Sequence, residues 1–273
     1  VKAIIGSGKV SNIIKEDSDV VFSHREIEIK DIESVRKCLS SIPKGTTVIN
    51  TAAKINLEWC EENEDECYEV NVVGALNVAK VCRDLGLHLF HLSSGCIFDG
   101  METGRAYDEN DKPNPSAWYT KCKAQADDLI MNLGYEKITI GRPRQLVSSV
   151  PNPTNMLTKF ASLKSGNFID VPNSMTCIED MKDMINHLIE GNHYGIFNLA
   201  NSGTVTPYKI AKRVKRTISP DLEVKKIDYS SYLKTLKVKR VNTILSLEKI
   251  TSTGYIPRNS EVALDWCLEN YGK

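Results

Sequence analysis

Strand-like and helix-like segments alternate through the first half of this 273-residue chain. A glycine-bearing turn follows the first strand, and an apolar run ends in two serines ahead of a helix carrying Tyr119 and Lys123. Together these observations predict an α/β fold: a Rossmann-type doubly wound parallel sheet over residues 1–142, then a smaller mixed C-terminal lobe over 143–273.

The strands are expected at 3–5, 19–22, 47–50, 88–92 and 137–140, and the helices at 32–41, 65–85 and 116–133. Helices between short apolar strands indicate parallel crossovers with both sheet faces covered. The apolar spacing Val70, Val73, Leu76, Ala79, with Cys82 later, fits one buried helical face. Beyond residue 142 the rhythm changes. Pro and Asn punctuate Val150-Pro-Asn-Pro-Thr154 and Val171-Pro-Asn-Ser174, and the chain is expected to return to the sheet near 196–199.

The first strand runs into Gly6 and Gly8, which permit a tight turn and close approach to a pyrophosphate at a helix N-terminus. Two glycines also fit an ordinary turn, and Ser11 stands where the fingerprint has its third glycine. The second strand ends in Phe22-Ser-His-Arg25. With no acidic residue at Ser23 or His24, Ser23 and Arg25 favour a 2′-phosphate and hence NADP(H), against the alternative of a solvated arginine. The Asp31 carboxylate, beside Ile32, is placed to accept from an adenine amino group. Ala52 and Ala53, after Thr51, are small where backbone would pass close to the cofactor.

Tyr119 and Lys123 lie four apart, on one face of a helix. An ammonium held beside a phenol lowers the phenol's pKa, so that it passes a proton nearer neutral pH. Alone, that spacing equally suits a surface tyrosine with a solvated lysine. Its context is Ser93 and Ser94, closing the run Leu87-His-Leu-Phe-His-Leu92, which reads as a buried parallel strand.

Composition narrows the classes. With 35 basic and 35 acidic residues the formal charge is zero, without the basic excess expected of a nucleic-acid binder. No apolar run approaches the roughly 18 residues that span a bilayer. No basic region followed by a long apolar segment opens the sequence, so a soluble, cytoplasmic protein is expected. Cysteines 38, 60, 67, 82, 96, 122, 177 and 267 form no Cys-x-x-Cys pair, so no metal site is expected and most should be packed thiols.

A strand-end hydroxyl with Tyr and Lys on the next helix resembles the short-chain dehydrogenase/reductases of the extended, nucleotide-sugar branch. Within that branch the chain resembles the dTDP-4-dehydrorhamnose reductase group, and most closely the bifunctional UDP-4-keto-6-deoxy-glucose 3,5-epimerase/4-reductase family that makes UDP-L-rhamnose. The stretches that carry this are Asn56-Leu-Glu-Trp-Cys-Glu61, Asn71-Val-Val-Gly74, Gly95-Cys-Ile-Phe98, the Tyr119 and Lys123 motif, Asn155-Met-Leu-Thr-Lys159 and Val171-Pro-Asn-Ser-Met-Thr176. The resemblance implies a reductase triad of Ser94, Tyr119 and Lys123, with Asn71 supporting the proton relay. It implies Cys96 and Lys159 as the epimerising acid/base pair, and Ser94, Asn155, Asn173 and Arg240 facing a nucleotide-sugar substrate. A homodimer is implied as well. Departures are Ser11, a short first helix, and Gly141-Arg-Pro-Arg144, which fits the family's strand-end arginine only with a one-residue shift.

The two reactions share one chemical requirement. A hydrogen alpha to a ketone becomes acidic only when the enolate is stabilised, so hydroxyls that bind the C4 oxygen serve both steps. A thiol and an amine on opposite faces of the sugar could remove and return the proton at C3 or C5. The alternatives are a reductase alone with Cys96 as a packed thiol, an acetamido-sugar version of either activity, and a non-catalytic regulatory subunit that keeps the cofactor.

Overall fold

The computed structural model describes residues 1–100 and 105–273. β1 (Lys2–Ile5) leads through Gly6 and Gly8 to α1 (Lys9–Ile14) and β2 (Val20–Phe22), and α2 (Ile32–Ser40) precedes β3 (Thr47–Asn50). Next come α3 (Leu57–Glu62), α4 (Glu64–Tyr68), a π-helical turn (Glu69–Gly74) and α5 (Ala75–Leu85), then β4 (His88–Leu92). A single 3₁₀ turn (Gly95–Ile97), α6 (Trp118–Met131) and β5 (Ile138–Pro143) follow. After β6 (Leu146–Val147), α7 (Met156–Ala161), β7 (Ser165–Ile169), β8 (Thr176–Cys177) and α8 (Ile178–Glu190), β9 (Gly195–Leu199) joins the large sheet. The chain finishes with α9 (Pro207–Thr217), β10 (Glu223–Ile227), α10 (Tyr229–Lys234), α11 (Glu248–Ser252) and α12 (Ser260–Glu269).

The large sheet has the order β2-β1-β3-β4-β5-β9. β1 pairs in parallel with both β2 and β3, and β4 with both β3 and β5. The strand order therefore reverses between β1 and β3, the place where an open α/β sheet leaves a crevice at its carboxyl edge. Register aligns the strand ends that matter: Ile5 opposite Asn50, and Asn50 opposite His91. Residues just beyond β1, β3 and β4 consequently emerge along one edge. Burial on both faces explains why these strands are nearly all apolar, with Ala3, Ile4, Ile5, Val48, Ile49, Leu89 and Phe90 almost wholly covered.

Two features of this region were not expected. The helix anticipated at 65–85 is interrupted by the π-helical turn, whose extra residue turns the Asn71 side chain onto the loop after β3. α3 is an additional helix, begun by Asn56, whose side chain accepts from the Trp59 N–H.

Contacts divide the chain into two compact units, neither of them continuous in sequence. The first comprises Val1–Ile97, Lys112–Arg142 and Ile185–Phe197; the second comprises Phe98–Asp111, Pro143–Met184 and Asn198–Lys273. Helices α2, α5 and α6 cover the sheet of the first unit around Val35, Leu39, Val78, Val81, Ala126 and Ile130. The second unit holds two parallel strand pairs, β7 with β10 and β6 with β8. Its core includes Val147, Leu157, Met175, Ile210, Val214 and Leu264. Among the described residues no helix is long and apolar enough to cross a membrane.

Candidate active site

β1 ends in a turn that only glycine suits. Gly6 has φ +108°, and a Cβ there would lie 2.6 Å from Thr51 Oγ1 and 3.2 Å from the Ala52 nitrogen. Around a Cβ on Gly8 there would be no atom within 4 Å, so the backbone is bare where an anion would approach. Ser11 is buried, and its hydroxyl donates to the Gly8 carbonyl at 2.8 Å, closing the turn from inside. Thr51 fastens the end of β3 to that of β1 through its N–H and hydroxyl, both donating to the Ile5 carbonyl at 2.9 Å. Ala52 and Ala53 follow, half-buried.

At the end of β2, Arg25 is exposed and makes no hydrogen bond or ion pair among the described residues. Its neighbour Glu26 folds back, and its carboxylate accepts from both the Ser23 N–H and hydroxyl at 2.8 Å. Those bonds hold the carboxyl below its ordinary pKa. An acidic group therefore stands on Ser23, which a check of positions 23 and 24 alone overlooks. Asp31 caps α2 by accepting from the Glu33 N–H, with Ile32 as the first helical residue. That oxygen is committed to the helix.

The central cluster lies beyond β4. Ser94 is buried, and its hydroxyl accepts from the Cys96 N–H at 3.1 Å within the 3₁₀ turn. Tyr119 lies in the first turn of α6, whose entry Thr120 fixes by bonding the Ala117 backbone in both directions. Trp118 ties the same turn to Glu61 and Glu64. Burial pushes the Tyr119 phenol up, the adjacent Cys96 thiol adds to this, and hydrogen bonding to Ser94 opposes it. The group therefore stays a phenol at neutral pH, the form a proton donor must hold.

Lys123 Nζ donates to the Leu92 carbonyl at 2.8 Å and meets His91 Nε2 at 3.3 Å. Burial, the dominant effect, brings it down to about 8. Asn71 is buried and grips the loop after β3, accepting from the Lys54 N–H at 2.8 Å and donating to its carbonyl at 2.9 Å.

Cys96 belongs to the first unit, half-buried, whereas Lys159 is exposed on α7 in the second. In the second unit Asn155 caps α7 and donates to the Ser148 and Val150 carbonyls, so its bonds all go to backbone. Asn173 is likewise engaged, with the Thr243 N–H and Asn242. Arg240 is half-buried in the irregular segment between α10 and α11.

Two residues lie outside the predicted site, one of them named only as half of the serine pair. Ser93 Oγ is buried without a hydrogen-bond partner at the end of β4. Gln145, in the second unit, combines φ +42° with a buried, unpartnered amide oxygen. The serine pair pointed at the first; nothing in sequence marks the second, whose backbone strain exists only in the fold. The cysteines also hide a relation that spacing cannot show. Cys177, Glu179 and Cys267 bring possible ligand atoms within 4.8 Å of one another. Protein groups already serve them, since Arg258 reaches Cys177 Sγ at 3.8 Å and Ser148 and Ser149 hold Glu179.

Comparison with known proteins places this geometry in context. The model of the RmlD substrate binding domain matches residues 5–272. A bifunctional dTDP-4-dehydrorhamnose 3,5-epimerase/dTDP-4-dehydrorhamnose reductase of Arabidopsis thaliana is 29% identical over 245 residues, covering 86% of this chain and 80% of that protein. A trifunctional UDP-glucose 4,6-dehydratase/UDP-4-keto-6-deoxy-D-glucose 3,5-epimerase/UDP-4-keto-L-rhamnose-reductase of the same plant is 27% identical, and 87% of this chain matches it while spanning 36% of its length. The crystal structure of dTDP-4-dehydrorhamnose reductase from Bacillus anthracis in complex with NADP superposes with TM-score 0.87 at 22% identity, covering 98% of this chain and 97% of that one. At that identity the likeness establishes the fold.

Proposed function

The chain belongs to the RmlD substrate binding domain family, and from that premise we propose that it is an NADPH-dependent reductase of a nucleotide-linked 4-keto-6-deoxyhexose. The observation that carries this reading is the meeting of Ser94 and Tyr119 beyond β4, a hydroxyl pair able to hold a ketone oxygen. Ser94 hydrogen-bonds the C4 oxygen, and Tyr119 gives it a proton as negative charge develops. Gly6, Gly8, Ala52 and Ala53 suit the dinucleotide, with the bare backbone at Gly8 open to its pyrophosphate. When bound, NADPH supplies the hydride that reaches C4. Ser23 and Arg25 are the groups nearest in sequence to take a 2′-phosphate.

We further propose the epimerase step, with UDP-4-keto-6-deoxy-glucose as substrate and Cys96 and Lys159 as acid and base. Cys96 sits beside the same ketone-binding hydroxyls, and both plant relatives carry 3,5-epimerase activity in their descriptions. Asn155, Asn173 and Arg240 are retained as residues shaping the sugar-nucleotide side of the second unit, the two asparagines through the backbone they hold. A homodimer and a cytoplasmic location belong to the same proposal.

Replacing the proton donor tests the reductase. Losing a general acid costs about 10²–10⁴-fold in rate, so Tyr119→Phe should nearly abolish NADPH oxidation while cofactor affinity, read by fluorescence titration, stays close to wild type. Turnover near the wild-type rate in that variant would refute the assignment.

A further inference from the structure

Below the carboxyl ends of β3 and β4, three buried side chains form a line. Asn50 Nδ2 lies 3.4 Å from His91 Nδ1, and His91 Nε2 lies 3.3 Å from Lys123 Nζ. Their exposures are 0%, 0% and 1%. Register makes Asn50 and His91 cross-strand neighbours, and α6 brings Lys123 to them from above.

The donors along this line can be counted. The Ala52 N–H donates to Asn50 Oδ1 at 3.1 Å, which fixes the amide with Nδ2 toward the ring. His91 Nδ1 must then accept. A neutral imidazole that accepts at Nδ1 carries its proton on Nε2. That N–H points at Lys123 Nζ, which can accept only as a neutral amine. An ammonium there would set N–H against N–H.

We propose that Asn50 and His91 are positioning residues for Lys123: Asn50 fixes the imidazole tautomer, and the His91 Nε2–H disfavours the ammonium form of the lysine while the Leu92 carbonyl orients it. Other groups face Lys123 too. Cys67 approaches from α4, and Cys122 and Asp127 lie on α6 itself. Asp127, which favours the ammonium, is drawn off by Arg142 of β5 at 2.9 Å. Burial, the largest effect, keeps the His91 ring neutral, with its pKa well below the usual value. A lysine balanced between its two forms can hand a proton onward to the site, which a permanently charged one cannot.

The tautomer is open to direct measurement, independent of any activity. In the full chain labelled with nitrogen-15 histidine, His91 is assigned through ring-to-backbone correlations and its loss in His91→Gln. At neutral pH its Nε2 should be protonated and its Nδ1 bare; a proton on Nδ1 overturns the proposal. The second arm rests on the reductase reading. His91→Gln offers a carbonyl to the ammonium, so the alkaline limb of the pH profile for keto-sugar reduction should rise by about one pH unit. A limb that stays put or falls overturns it as well. If wild type reduces no keto-sugar nucleotide, the reductase reading fails, and the tautomer alone decides this one.

Discussion

Glu26 changes what Arg25 alone implies about the cofactor. Arg25 is an uncommitted cation at the end of β2, yet the Glu26 carboxylate occupies both donors of Ser23. A 2′-phosphate using Ser23 has to displace or neutralise that carboxylate, whereas a bare ribose hydroxyl could donate to it. Arg25→Ala should therefore weaken NADPH binding by up to about tenfold, in keeping with an exposed charge-assisted contact. Glu26→Gln should tighten NADPH several-fold with NADH little changed. Titrating the two reduced cofactors against wild type and both variants reads this, and a Glu26→Gln variant that loses NADPH affinity contradicts it. Tyr119 and Ser94 were legible as residues from their order along the chain. The role of Lys123 was only half legible, because spacing puts it on the right helical face but does not show that its Nζ bonds the Leu92 carbonyl and meets His91.

At the scale of elements, the sheet was the most legible part. Short apolar strands bounded by glycine, serine and asparagine give themselves away, and β1, β3 and β4 lie where periodicity puts them. The π-helical turn was invisible because the apolar spacing from Val70 to Ala79 continues through it. Its function emerges from Asn71, which satisfies both the N–H and the carbonyl of Lys54 and so holds the loop that leaves β3. Asn71→Ala orphans two backbone groups. Leaving a buried polar group without its partner costs about 1–3 kcal/mol. Urea denaturation of that variant should show a loss of this size, accompanied by reduced turnover as the loop after Ala53 loosens. Unchanged stability would mean the clamp does nothing.

For the whole molecule, the sequence reading reached the class of fold, and the proposed cluster of Ser94, Tyr119 and Lys123 lies in the first unit. The reading was weaker in the second. There Asn155 and Asn173 matter through the backbone they hold, and the Gln145 strain arises from a turn no motif announces. The proposed epimerase step asks Cys96 of the first unit and Lys159 of the second to serve one sugar. The most direct test is to incubate the wild-type protein with NADPH and UDP-4-keto-6-deoxy-glucose in heavy water and to read the product by NMR. The account predicts oxidation of NADPH, a sugar of the L-rhamnose configuration, and solvent deuterium at C3 and C5. A reduced D-sugar free of deuterium at those carbons would remove the epimerase half and return Cys96 to a packed thiol. No consumption of NADPH with this or any related 4-keto-sugar nucleotide would contradict the central claim itself.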